Sequence, residues 1–395
     1  MGSQINKKPI FEVKMILSLY QTHLKSQLTS AQYLLLEILV RLLQSLHNVK
    51  IEILAEALPL PIQFESRRRK IQRWLSLPSI TLETLWLPLV KLWIAQQYQE
   101  GDRLYLAIDR TRWRTNNLLF VSVIWQRRAI PIWFECLEKQ GNSSYAIQTR
   151  VLGRVLSELS AYTLVVLGDR EFCSVKLGRW LGTQKAYFCL RLKRNTEVEQ
   201  SEDLCQQLQT LGLAPGQKLF LNEVQVTQTR GFGTFNVAAK WKKRYQGFAP
   251  DEAWFILTNF ADLDTAISSY RKRFSIEEMF RDFKEGGYCL EDTYVTGDRL
   301  IAIVILIAIA YTSASLQGQS FKRQNLQRYI ARPESITSAQ KRHSAFRVGL
   351  SAYRWAALND VVMMQLVTSL LKLSRNKLPE YQRGMRAMSL VLKGL

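Results

Sequence analysis

Residues 104–136 carry three short apolar runs, Leu104-Tyr-Leu-Ala-Ile108, Leu118-Leu-Phe-Val-Ser-Val-Ile-Trp125 and Ala129-Ile-Pro-Ile-Trp-Phe-Glu-Cys136, with polar residues between them. They are rich in aromatic and β-branched residues and too short for independent helices, so they read as strands. A helix from Ser144 to Leu159, a strand from Tyr162 to Leu167, a helix from Cys173 to Gln184 and a strand from Ala186 to Leu190 follow. Three meandering strands giving way to alternating helices and strands predict a mixed α/β sheet covered by helices. The first run ends at Asp109, and the run Leu164-Val-Val-Leu-Gly168 ends at Asp169. An acid placed directly after buried aliphatics is pushed to the end of the sheet. If these two strands are neighbours, the two carboxylates converge.

The order of these elements is that of a ribonuclease H-like fold, in which the two strands are neighbours. Residues 191–255 interrupt it. Val224 and Val226 alternate with polar residues, Arg230-Gly231-Phe232-Gly233 has the composition of a turn, and Thr234 to Trp241 alternates again, so a small β-rich insertion is expected there. Trp254 to Leu257 returns the chain to the main domain, and Asp262 or Asp264 is placed to cap the next helix.

That helix carries Tyr270-x2-Arg273-x3-Glu277-x6-Lys284. At about 100° per residue, the four positions project near 0°, 300°, 340° and 320°, a stripe roughly 60° wide. Ile276, Met279, Phe280 and Phe283 fill the adjoining arc, so one side is buried while a phenol, a guanidinium, a carboxylate and an ammonium line the edge of the core. Glu278 is the rival acid. It projects near about 80°, away from the stripe, and is expected in solvent. A lone acid among phosphate-binding groups points to a metal ligand beside a nucleic-acid backbone. Taken singly, Asp109 could serve as a turn former or cap and Asp169 could pair with Arg170. Together with the stripe they read as a three-carboxylate metal site.

The remaining composition agrees with such a partner. The chain of 395 residues has 54 Lys and Arg against 33 Asp and Glu, a net charge of +21, with basic residues recurring from Lys7 to Arg386. That balance favours a long polyanionic footprint. Three histidines argue against a histidine metal centre, and five scattered cysteines (Cys136, Cys173, Cys189, Cys205, Cys289) read as reduced core residues. No secretion signal is apparent at the N-terminus, and the apolar stretch Leu300 to Tyr311 is too short to span a bilayer, so a buried helix and a cytoplasmic protein without a membrane partner are expected.

Helical periodicity over residues 11–57, broken by Pro59 and Pro61, opens a helical N-terminal domain taken to end near residue 100. Pro78 and Pro88 bracket a further helix running to Gln99. Arg67, Arg68, Arg69, Lys70 and Arg73 crowd a short helix after Val49 to Ala57, the arrangement of a helix-turn-helix whose second helix enters the major groove; a solvated basic helix is the ordinary alternative. The catalytic domain is expected over 101–315 and a basic helical region over 316–395. Lys193, Arg194, Lys240, Lys242, Lys243 and Arg244 are candidates for backbone contacts.

The residues then match a family. Asp109-Arg-Thr, Asp169-Arg-Glu-Phe and Tyr270-Arg-Lys-Arg-Phe-Ser-Ile-Glu-Glu-Met-Phe-Arg-Asp-Phe-Lys284 resemble the three blocks of the DDE-class insertion-sequence transposases with the Tyr-Arg-Glu-Lys signature, with no departure at the signature positions. The resemblance covers residues 104–295. It implies cut-and-paste transposition by a ribonuclease H-like core with a β-insertion before the last acid. It also implies Asp109, Asp169 and Glu277 holding divalent metal, and Tyr270, Arg273 and Lys284 contacting phosphates near the cut. Mg²⁺ or Mn²⁺, as two ions about 3.5–4 Å apart, suits hard oxygen ligands and phosphodiester chemistry. The expected partners are double-stranded DNA, as terminal inverted repeats and target, and a second copy of the chain in the DNA complex, in the bacterial nucleoid. Trp241 could stack on a displaced base, as aromatic residues of this insertion do in some relatives, although a strand Trp is more often sheet packing. Two other readings stay open: a structure-selective nuclease on the same fold, and a repeat-binding protein that does not cut.

Overall fold

A computed structural model describes residues 17–201, 204–226, 233–243, 251–333, 342–357 and 378–394. Lys7, the residues 230–232 of the expected turn, and Arg244 lie outside this set. The described residues form two compact units, those within 93–280 in one and those within 17–92 and 281–394 in the other.

The first unit is built on a sheet in which β1 (Arg103–Trp113), β2 (Asn116–Trp125) and β3 (Arg128–Cys136) form an antiparallel meander. β4 (Thr163–Gly168) lies parallel to β1, and β5 (Tyr187–Arg191) lies parallel to β4. The order β3-β2-β1-β4-β5 is the expected ribonuclease H-like arrangement. β2 is buried along nearly its whole length, which explains why Leu118 to Trp125 reads as a continuous apolar run rather than an alternating one. Pro131 is tolerated because β3 is the edge strand, and it pairs with Ser122 beside a bulge that leaves Ile132 of β3 as the extra residue. Helices α6 (Tyr145–Glu158) and α7 (Val175–Thr183) provide the crossovers, each opened by a serine whose hydroxyl accepts a backbone N–H: Ser144 from Ile147 and Ser174 from Leu177.

The insertion is β-rich and extends the same sheet instead of forming a separate element. β6 (Glu197–Ser201), β7 (Leu204–Gln207), β8 (Lys218–Val226) and β9 (Thr234–Lys240) follow β10 (Trp254–Thr258) in the order β5-β10-β9-β8-β6-β7. β10 is buried on both faces and pairs antiparallel with β5 and β9, so the inserted strands continue the hydrogen-bond ladder of the core.

In the second unit the described N-terminal residues form α1 (Ser18–Gln27), α2 (Ser30–Leu46), α3 (Ile51–Ala57) and α4 (Phe64–Trp74). A π-helical turn over Leu82–Trp86 then leads into α5 (Leu87–Gln97). Pro88 does not delimit that helix, because it falls in the first turn of α5. The Thr84 carbonyl, left without a Pro88 N–H, is hydrogen-bonded by His23 Nε2 at 2.9 Å. The apolar stretch becomes α10 (Gly297–Arg323), longer than the sequence indicated. By length and composition it could cross a membrane, yet 89% of its most apolar window is buried inside the fold, as in a core helix. α11 (Gln327–Ile330), α12 (Ala345–Ala357) and α13 (Leu378–Gly394) complete the described residues. None of the five cysteines is in a disulfide, but only Cys189 is buried; Cys136 is exposed and Cys173, Cys205 and Cys289 are half-buried, so the expected core role holds for one.

Candidate active site

The two aspartates leave the sheet in register. The β1–β4 ladder ends at Ile108 opposite Gly168, so Asp109 and Asp169 are the next residue on each strand. Asp109 is not at the end of β1, which runs on to Trp113 because β2 continues to pair with it; it stands where pairing with β4 stops. Its side chain is 14% exposed. One carboxylate oxygen accepts the Arg110 N–H at 2.7 Å, and the other faces Arg273 Nη1 at 3.5 Å. Asp169 caps the turn Arg170–Phe172, accepting the Glu171 N–H at 2.8 Å. Burial, and then the charges of Asp169 and Glu277, push Asp109 up to about 7, against the Arg110 N–H and the Arg273 guanidinium.

The expected single helix over 270–284 is two. α8 (Leu263–Arg271), capped by Asp262, stops, and α9 (Phe274–Phe283) starts after a tight turn in which the Arg273 N–H reaches the Tyr270 carbonyl at 3.0 Å. The reactive stripe is therefore not a continuous helical face. Tyr270 is fully buried, edge-on to Trp254 at 5.3 Å, and its ring is not presented along an exposed edge. Arg273 occupies the break, with a side chain only 5% exposed. Its Nη2 donates to Glu277 Oε1 at 2.5 Å, and the group lies 4.6 Å over the Phe274 ring. The Glu277 side chain is 50% exposed. Glu278 is not left to solvent: it pairs with Arg128 at 2.7 Å. Lys284, in the other unit, pairs with Glu291 at 2.5 Å.

One guanidinium thus bridges Asp109 and Glu277, while Asp109 and Asp169 share a ladder end. Among the described residues no three acidic, histidine or cysteine groups form a ready-made metal cage. The donor set nonetheless suits a divalent cation: hard carboxylate oxygens, one of them buried and raised by its acidic neighbours, concentrate negative charge at one end of the sheet.

In the same unit a cavity of about 950 Å³ is lined by Arg170, Arg191, Lys193, Arg194 and Lys242 together with Trp254 and Phe274. Burial lowers Arg191 first, with Arg170 and Arg273 adding to it, and Glu252 accepts ion pairs from Arg170 and Arg191. Asp169 therefore does not engage Arg170 in the pairing considered from sequence. Lys242 lies 4.2 Å over Trp254. Trp241 follows β9 and bonds through its backbone to Gly216 and Gln217, its side chain half-buried, and Lys243 beside it is exposed.

On α4 the basic residues part company. Arg67 donates to the Glu56 and Leu58 carbonyls at the end of α3, at 3.1 and 3.2 Å, and so ties the two helices together. Arg68 pairs with Glu65, whereas Arg69, Lys70 and Arg73 are exposed. Sequence reasoning missed Arg110, Glu171, Arg191 and Glu252. The first two stand one and two places beyond the aspartates, and that adjacency was the available signal.

The chain matches no curated protein. A solved structure, a piggyBac transposase synaptic complex with hairpin DNA, aligns with 90% of this chain and 82% of its own at 10% identity and a TM-score of 0.45. The family model described as the transposase DDE domain matches residues 106–313, from β1 into α10 and more than half of the chain. Carrying its two in-register aspartates inside that match, the chain belongs to the transposase DDE domain family and is a DNA-cleaving and strand-joining enzyme.

Proposed function

We propose that the chain cuts the ends of a mobile DNA element and joins the freed 3′-hydroxyls to target DNA, with Asp109, Asp169 and Glu277 as metal-holding acids. The observation that carries this is the ladder end: Asp109 and Asp169 follow Ile108 and Gly168 on adjacent parallel strands, and Glu277 acts on the same Asp109 carboxyl. Divalent metal bound by these acids, as one or two Mg²⁺ or Mn²⁺ ions, supplies an activated oxygen nucleophile and relieves charge on the scissile phosphate.

The protein's own groups do the rest. Arg273 offsets two carboxylates in the free chain and brings donors to the phosphate beside them. Tyr270 and Phe274 pack against that guanidinium and hold it in the break between α8 and α9. Lys284 adds charge from beyond α9. Lys242, Lys243, Lys193 and Arg194 guide the backbone along the insertion, and Trp241 is a candidate for stacking on a displaced base. Residues 1–100 recognise the terminal inverted repeats through Arg69, Lys70 and Arg73; Arg68 contributes less while paired with Glu65, and Arg67 supports the helix. Residues 101–315 carry the chemistry and 316–395 add basic surface. Joining two ends calls for two copies of the chain on DNA, and the bacterial nucleoid is the matching location.

The test uses a supercoiled plasmid with the element's ends and Mg²⁺. Wild type should both cleave the ends and join them to target, while Asp109→Ala, Asp169→Ala and Glu277→Ala bind DNA without cleaving. Cleavage without joining would favour a structure-selective nuclease, and binding alone a repeat-binding protein. An inactive Glu278→Ala beside an active Glu277→Ala would move the third acid by one residue.

A further inference from the structure

The β1–β4 ladder stops one residue before each aspartate, so backbone pairing no longer fixes their separation. Something else must, because Asp109 and Asp169 sit on different strands. The backbone N–H of Arg110 holds Asp109 at 2.7 Å and that of Glu171 holds Asp169 at 2.8 Å. The side chains of these same two residues hold each other: Arg110 Nε donates to both Glu171 oxygens, at 2.9 and 3.2 Å. We propose that Arg110 and Glu171 are a positioning pair that sets the spacing of the two aspartate carboxylates where the sheet no longer does.

The pair is built for fixed geometry. Its side chains are 14% and 10% exposed, far less than the surface pairs that contribute little. Glu171 Oε1 also accepts the Ser143 N–H at 2.9 Å and the Ser143 hydroxyl at 2.8 Å. Arg110 Nη1 donates to Asn117 Oδ1 at 2.9 Å, and the Asn117 amide donates in turn to the carbonyls of Lys139 and Gly141. Both ends are thereby anchored to the loop between β3 and α6. A buried charge that loses its partner is strongly destabilised, so Arg110 and Glu171 move together or not at all. Each N–H on an aspartate belongs to a residue of the pair, so the contacts that hold the two carboxylates and the ion pair that joins the strands fall on the same two residues.

This inference rests on the reading of Asp109 and Asp169 as metal-holding acids. The test compares Glu171→Ala, the near-isosteric Glu171→Gln and Arg110→Lys in the full-length chain. Three quantities are read: Mn²⁺ binding by calorimetry without DNA, end cleavage, and the melting temperature. Glu171→Ala is expected to weaken Mn²⁺ binding and slow cleavage by roughly 10–100-fold each, the range for groups that orient metal ligands, with DNA affinity kept and Glu171→Gln recovering part of both. An ion pair that served only as glue would lower the melting temperature and leave Mn²⁺ affinity at the wild-type value; that result overturns the proposal. If Glu171→Ala does not fold, Glu171→Gln and Arg110→Lys are judged on the same terms. Wild-type Mn²⁺ binding by Asp109→Ala and Asp169→Ala would refute the acids' role and the pair's with it. Loss there with wild-type behaviour in the pair variants refutes the pair alone.

Discussion

Gly168 stands immediately before Asp169, and a Cβ at that position would lie 2.8 Å from the Phe172 Cβ and 3.0 Å from a Leu190 methyl. The turn that brings the chain from β4 into Arg170–Phe172 is therefore closed around a missing side chain. In Gly168→Ala the strand end must shift, and Asp169 with it. Single-turnover cleavage should fall by about 10²-fold, the cost of misplacing a reacting group by about an ångström, while DNA binding measured by fluorescence anisotropy is unchanged. Equal cleavage in Gly168→Ala would show that the site tolerates movement of this acid. The two aspartates were legible because each ends an apolar run. Their supports were not, since nothing in the sequence pairs Arg110 with Glu171 until the fold brings the strands side by side.

At the scale of elements, α10 and α12 touch backbone to backbone. A Cβ on Gly318 would meet the Ala345 carbonyl oxygen at 1.8 Å, and one on Gly349 would meet the Ala314 carbonyl oxygen at 1.9 Å. Neither clash can be relieved by a side-chain rotation, so Gly349→Ala must push the helices apart and lose the packing along their length. Denaturant unfolding should show this unit destabilised by about 3 kcal/mol, whereas the control Gly384→Ala in α13, where a Cβ meets nothing, should be stabilising by roughly 0.5–1 kcal/mol through helix propensity alone. Helix existence was legible here from apolar periodicity, but contact distance was not. The break between α8 and α9 was equally hidden, because no Pro or Gly lies between Leu263 and Phe283 to announce it. It falls where Tyr270 is buried against Trp254 and Arg273 turns to Asp109.

For the whole molecule the dominant quantity is the charge of +21. DNA binding should weaken linearly in log–log terms with salt, by a slope of about −0.9 for each phosphate neutralised. If α4 faces DNA, Arg69→Ala with Arg73→Ala should make that slope shallower by roughly 0.9 per lost contact, in a titration of end DNA between two salt concentrations. Arg67→Ala should leave the slope alone and lower the melting temperature, because its guanidinium holds the Glu56 and Leu58 carbonyls. A slope change in Arg67→Ala as large as in the double variant would mean that the tie to α3 gives way on DNA.

The sequence by itself determined most element types, the β character of the insertion and the candidate acids, because those follow from local propensity, apolar periodicity and the position of a charge relative to an apolar run. The strand order of the core was read only through the ribonuclease H-like order of the elements. Only the tertiary structure decided what each polar side chain meets. Arg273 and Lys284 look alike on a helical projection, yet one is buried between two carboxylates and the other is paired with Glu291. Glu277 and Glu278 are neighbours in the chain, and Arg128, arriving on β3 from 150 residues away, is what separates their environments. Partners so distant in sequence are set by which strands and helices pack together, and that packing reflects the whole apolar core rather than any one segment's pattern.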